Sequence, residues 1–148
     1  MTGPQLMPGA VVPPLRRDFP LSRMVAYAGA TWDWHRLHYD TAYAQARGLP
    51  APVVDGQVLG ALLAEQLQRW LGPQCVLRTL HFRFSQPVFA GESVVCTGRV
   101  TEVGDNGLVT VEQRVEVSGP KARTAVATAG ATLTLTPPPD PPVAGGPA

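Results

Sequence analysis

Two periodicities divide this chain. From Gly56 to Leu71, the residues Val58, Leu59, Leu62, Leu63, Leu67 and Trp70 recur at three- and four-residue intervals, which is the apolar face of an α-helix. Gly72-Pro73 supplies the stop. The same stretch holds Gly60, Ala61 and Ala64, small residues where another backbone or a ligand can come close. Beyond it the period changes to two. Leu80, Phe82 and Phe84 share one face of a strand, opposite His81, Arg83 and Ser85. Strands are predicted next over 93–103, 108–117 and 124–136, separated by the turns Gly104-Asp105-Asn106-Gly107 and Ser118-Gly119-Pro120-Lys121. Upstream the signals are shorter. Residues 16–20 read as an extended lead-in, and Ser22 is placed to cap a helix to about Ala30 built on Leu21, Met24, Val25 and Ala28. Asp40 reads as the N-cap of a short helix through Arg47, ended by Gly48 and Pro50. Helices followed by an antiparallel meander make an α+β domain, with the sheet expected to wrap the one long helix.

Composition narrows the picture. The chain has 148 residues and is 45% hydrophobic, enough for one domain with its own core. Residues 1–14 and 137–148 are rich in Pro, Gly and Ala and lack periodicity, so they are expected as disordered tails around a domain at 15–136. Twelve basic and eleven acidic residues leave a net charge of +1, which gives no basis for electrostatic capture of nucleic acid or an anionic membrane. There is no apolar leader core and no stretch approaching a membrane span, so a soluble cytoplasmic domain is expected. Cys75 and Cys96 are isolated and fit reduced, buried thiols better than a disulfide or a metal site.

The candidate chemistry lies in Thr31-Trp32-Asp33-Trp34-His35-Arg36-Leu37-His38-Tyr39-Asp40, which has no clean period and holds two of the three histidines. Asp33 and His38, on irregular chain between two helices, can converge on one water molecule. That pairing suits general acid–base work, because an imidazole titrates near neutrality and a carboxylate can orient or share its proton. Plain alternatives exist: Asp40 is also a helix cap, and the histidines also suit a surface beside aromatic packing. Asp33, His35, His38 and Asp40 are all metal-ligand types, but their spacing fits no standard zinc pattern and no metal is expected. A second feature is Val53-Val54-Asp55-Gly56 before the long helix. A glycine there lets a ligand reach amides that favour negative charge, while Asp55 alone reads as an ordinary N-cap.

Taken together, TWDWHRLHYDTAYAQARGLPAPVVDGQVL resembles the MaoC-like dehydratases, the (R)-specific enoyl-CoA hydratases of the hotdog fold. That family carries an Asp–aromatic–Asn–Pro–x–His–x–Asp segment, a short helix, a His-Gly pair and a central helix. Phe84-Ser85-Gln86-Pro87-Val88-Phe89-Ala90-Gly91-Glu92 is similar to its later Phe–x–x–Pro–Val–Phe–x–Gly–Glu/Asp segment. The resemblance covers about residues 16–136 and implies a hydro-lyase adding water to 2-enoyl thioesters or removing it from (R)-3-hydroxyacyl thioesters. By position, Asp33 and His38 match the catalytic pair, and Gly56 matches the glycine whose amide holds the thioester carbonyl. His35 stands for the motif's Asn, Arg36 for its Pro and Asp55 for its His. Trp32, Trp34 and Tyr39 are candidates for lining the acyl channel, and His35 and Asp55 for orienting the site. No cofactor is implied beyond the coenzyme A or acyl-carrier-protein arm of the substrate. A homodimer, a higher oligomer or a heteromer with another hotdog chain is expected, because a sheet edge is left for pairing. Two rival readings are an acyl thioesterase and a non-catalytic or partner-dependent hotdog subunit.

Overall fold

The long apolar stripe forms one helix with the bounds its periodicity predicts, Gly56–Leu71 (α3), and Gly72 ends it at a φ of 71°. The computed structural model describes residues 6–137. Before α3 come β1 (Val11–Asp18), α1 (Leu21–Thr31), a single 3-10 turn at Arg36–His38 and α2 (Thr41–Gln45). After it come β2 (Cys75–Phe84), β3 (Ser93–Val103), β4 (Val109–Val117) and β5 (Arg123–Leu135). None of the described helices is long and apolar enough to cross a membrane.

The strands form one antiparallel sheet in the order β1-β3-β4-β5-β2. The meander is therefore β3-β4-β5. β2, read as its first strand, pairs instead with β5, from Cys75 opposite Leu135 to Phe84 opposite Val126. The reason is that β1 occupies the free side of β3, with Leu15 opposite Cys96. β1 also starts before the expected domain boundary. Val12 is only 1% exposed and belongs to the core, so residues 11–14 are strand and not tail. Pro13 and Pro14 lack the N–H a ladder needs, and they sit where the register shifts on an edge strand, the position that tolerates proline. The remaining tail readings fall on 1–5 and 138–148, outside the described residues, and on the few residues at 6–10, of which Gly9 and Ala10 already bond to Val100. Ser22 does not cap α1. The helix starts two residues earlier than a Ser22 cap allows, with Pro20 as N-cap and no side-chain bond.

α3 buries Leu59, Leu62, Leu63 and Leu67 against the sheet, where Val94, Cys96, Val115 and Val126 wait on the inner face. Each such side chain contributes roughly 1.5–3 kcal/mol on burial. Two buried glutamines fix the helix rotation. Gln66 Nε2 donates to the carbonyls of Pro13 (3.0 Å) and Cys96 (3.1 Å), and Gln113 Nε2 donates to Leu63 O and Gln66 Oε1, both at 2.9 Å. The small residues of α3 have a structural occupant. A Cβ at Gly60 would stand 2.5 Å from the Phe82 ring, and one at Gly56 2.5 Å from the Phe84 ring. β2 aromatics, not a ligand, make the close approach on that face.

Candidate active site

The site begins where α1 ends. Trp32 takes a left-handed conformation (φ 58°) that breaks the helix and turns the chain into the Asp33–Asp40 segment. Asp33 Oδ1 accepts the His35 backbone N–H at 3.2 Å, and His35 Nδ1 accepts the Leu37 N–H at 3.2 Å, capping the 3-10 turn. The bond orienting Asp33 thus comes from the main chain of residue 35 and does not depend on its side chain. Arg36 takes up Asp40 through two nitrogens, at 2.9 and 2.7 Å, and lies over the Tyr43 ring. Asp40 caps α2 through the Tyr43 N–H, as its position predicts. That bond first, and then Arg36, holds the Asp40 carboxyl below its ordinary range.

His38 is the best-anchored member. Its Nδ1 lies 2.8 Å from the Val53 carbonyl oxygen, which can only accept, so Nδ1 carries the proton and Nε2 keeps the free lone pair in the neutral ring. The Val53 N–H returns a bond to Leu37 O at 3.0 Å. Residues 52–54 are in turn paired with the β2–β3 connection: Val54 N–H to Val88 O and Ala90 N–H to Pro52 O, each at 2.8 Å. That connection is clamped from β5. Arg123 donates to Pro87 O at 2.7 Å and forms an ion pair with Glu92 at 2.5 Å, while Glu92 also accepts the Phe89 N–H at 2.8 Å. The Pro-Val-Phe-x-Gly-Glu segment therefore supports the site from behind.

Asp55 is the N-cap of α3 and accepts the Gln57 N–H at 2.9 Å. Gly56 follows as the first helical residue, whose N–H has no partner within the helix. The structure brings together Asp33, His38 and Asp55. One polar atom of each lies within 4.8 Å of the other two, and among the described residues this is the set whose ligand atoms come close enough to share a metal ion. His35 and Asp40, the other ligand types in the segment, are not part of it.

The three groups open on a cavity of about 40 Å³. Its other walls are Phe19, Val54 and Val58, with Arg23, Met24, Tyr27 and Ala28 from α1. Burial, followed by the negative charges of Asp55 and Asp33, raises the Tyr27 hydroxyl above its ordinary value. The α1 residues escaped the sequence reading. The signal was Arg23–Tyr27 and Met24–Ala28, two pairs at four-residue spacing on the helix that leads straight into Asp33. Trp32, Trp34 and Tyr39 stand outside this cavity. Trp32 is 81% exposed, the Tyr39 hydroxyl donates to Trp34 O at 2.9 Å, and the Trp34 ring lies beside Gly29. The aromatic residues on the cavity wall are Phe19 and Tyr27, and Tyr27 lies within the field of Asp55 and Asp33.

A family model described as "MaoC like domain" matches residues 11–121. The chain belongs to the MaoC-like family. This MaoC-like chain is 32% identical over 104 residues to the 3-oxo-4,17-pregnadiene-20-carboxyl-CoA hydratase beta subunit of Mycobacterium tuberculosis, covering 70% of this chain and 80% of the relative. It is 28% identical over 107 residues to the (R)-specific enoyl-CoA hydratase of Aeromonas caviae, covering 71% and 80%. Among solved structures, a chain of the ChsH1–ChsH2 complex from Mycobacterium tuberculosis superposes with a TM-score of 0.79 at 29% identity, over 89% of this chain and 100% of that one. The (R)-hydratase from Aeromonas caviae gives 0.80 at 27%, over 88% and 98%. The sheet order with its central helix is the hotdog fold of these hydratases, and the MaoC-like chain's kinship is with hydratases and dehydratases.

Proposed function

We propose that this MaoC-like protein hydrates 2-enoyl thioesters, or in reverse dehydrates (R)-3-hydroxyacyl thioesters, carried on coenzyme A or an acyl carrier protein. The observation that carries the reading is the convergence of Asp33 and His38 within 4.8 Å, beside the first residue of α3. A water seated between His38 Nε2 and the free Asp33 oxygen adds its oxygen to C3. The electron pair of the C2–C3 double bond moves toward C2 and the thioester carbonyl. The proton that the water loses is held by the pair and delivered to C2, so one H and one OH are added and neither residue is consumed. Charge gathering on the thioester oxygen is met by the Gly56 N–H at the helix N-terminus, an arrangement worth about 3 kcal/mol to the transition state. The Asp55 carboxylate is engaged with the Gln57 N–H, which leaves the Gly56 N–H to the substrate.

In this reading the thioester arm is part of the substrate, and neither a metal nor a redox cofactor takes part. Crotonyl-CoA hydration followed at the loss of enoyl absorbance, with and without chelator, is the test. Asp33→Asn and His38→Ala each lose at least about a hundredfold in rate while folding normally. Wild-type rates in both variants would place the site elsewhere, and loss of activity on chelation would make the Asp33–His38–Asp55 set a metal centre. Release of free thiol in place of hydration would instead identify a thioesterase.

A second reading is a chain that works only beside another hotdog subunit. The similarity to a hydratase beta subunit favours it. Inactivity of the isolated chain, restored by a second hotdog chain, separates the two.

A further inference from the structure

We propose that the site takes a short acyl chain, ending at about the fourth carbon, and that Met24 sets this limit. The inference rests on the hydratase reading and goes beyond it by naming the substrate class. A cavity of about 40 Å³ holds a water and a methyl or ethyl group. It falls far short of the roughly 150 Å³ that a six-carbon ring occupies in a buried apolar cavity. With C2 and C3 at Asp33 and His38, C4 fills what remains.

Phe19, Met24 and Val54 are members of the main hydrophobic core. The main chain of Phe19 is tied to the β2–β3 connection by Phe19 N–H to Glu92 O at 2.8 Å and Gly91 N–H to Phe19 O at 2.7 Å. Val54 is tied to Val88 at 2.8 Å. Moving the main chain at either residue means breaking these backbone bonds. Met24 differs. It projects from α1, and its unbranched thioether is the adaptable member of the wall. Ala28, one turn further along α1, lines the same cavity and is already small. Met24 is thus the side chain whose size decides how much acyl chain fits, and Ala28 is the place where the cavity can be filled.

The experiment compares kcat/KM for 2-enoyl-CoA thioesters of four and eight carbons and for a polycyclic enoyl thioester, with the protein in whatever assembly it forms. One surplus methylene in a fixed apolar pocket costs about 10–200-fold. The wild type is therefore expected to prefer the four-carbon substrate by more than about a hundredfold. Met24→Ala removes Cγ, Sδ and Cε and raises the eight-to-four-carbon ratio at least about tenfold. Ala28→Leu works in the other direction, lowering four-carbon turnover more than that of the three-carbon thioester. Thermal melting verifies that each variant folds, and Val58→Ala opens the α3 side of the cavity should Met24→Ala fail to fold. Equal kcat/KM for four and eight carbons in the wild type overturns the proposal, as does a chain-length ratio unchanged in a folded Met24→Ala or, where that variant does not fold, unchanged by both Val58→Ala and Ala28→Leu. If no enoyl thioester is hydrated, the hydratase reading falls. Calorimetric binding of butanoyl-CoA against octanoyl-CoA then decides the size question separately: tighter butanoyl binding upholds it, and equal or tighter octanoyl binding overturns it.

Discussion

At His38 the main chain selects which nitrogen is left free. A carbonyl behind the ring demands a proton on Nδ1, so Nε2 faces the cavity side as acceptor. Asp33 is similarly held from one side, through Oδ1 and the His35 N–H. Asp55 adds a carboxylate to the same few ångströms, where the family has histidine. Its bond to the Gln57 N–H makes it a cap, and a cap needs no charge. Asp55→Asn is accordingly expected to change stability by less than about 1 kcal/mol and to leave the hydration rate unchanged or higher, whereas Asp55→Ala costs about 1 kcal/mol through the lost cap. Urea melts with initial rates read both effects. A collapse in rate for Asp55→Asn with folding intact would make Asp55 a proton carrier. This convergence was legible beforehand because its members are local in sequence, with Asp33 and His38 on one segment and Asp55 at the head of an evident helix. His35, expected as a substrate-lining or orienting residue, bonds Asp33 through its backbone N–H and caps the 3-10 turn of His38 through its side chain, a division of labour no residue type reveals.

Elements show where legibility stops. α3, β3, β4 and the turns between the late strands follow from local periodicity and turn chemistry, and they fall within a residue or two of their expected bounds. Partner choice does not. That β2 lies against β5 depends on β1 having filled the other edge, and β1 hides behind two prolines and a register shift. Tyr27, Arg23, Met24 and Phe19 escaped for the same reason, since their place on the cavity wall beside Val58 depends on tertiary packing. The Glu92–Arg123 clamp is another long-range pair with a measurable consequence. Partial burial pushes the Glu92 carboxyl up, but Arg123 and the Phe89 N–H outweigh it, and the net pKa lies below the ordinary glutamate value. A carboxyl depressed in the folded state contributes stability that is in place above its unfolded pKa of about 4.3 and is lost as pH falls through the lower folded value. Acid unfolding of Glu92→Gln is expected to be less steep below about pH 4.5 than that of the wild type, from a lower starting stability. Parallel curves would remove the clamp from the acid response.

For the whole molecule, the two sheet edges set the terms of assembly. Among the described residues β1 and β2 each present one unpaired side, and Phe84 on β2 is 54% exposed beside Gly56. We expect sedimentation to show at least a dimer, with itself or with a second hotdog chain. Truncation tests the N-terminal strand. Removing residues 1–12 takes Val12 from the core and strips Gly9 and Ala10 from Val100, so a loss of about 2–3 kcal/mol is expected. An unchanged melting temperature would show that this end of β1 contributes nothing.

The clamp behind the site also dictates how the site breathes. Because residues 52–54 are stitched to 88–90, and these are latched to β5 through Arg123, the backbone under His38 has no hinge of its own. Its amides are expected to exchange with deuterium only when the whole domain opens. The Val54 N–H should then share the slowest protection class with the central strands, and its exchange should accelerate in denaturant with the full slope of global unfolding. A shallow slope at Val54 would reveal a separate, low-energy opening of the site. With a full slope, the protein cannot gain substrate range by loosening this wall without loosening everything, and variation in reach falls to α1.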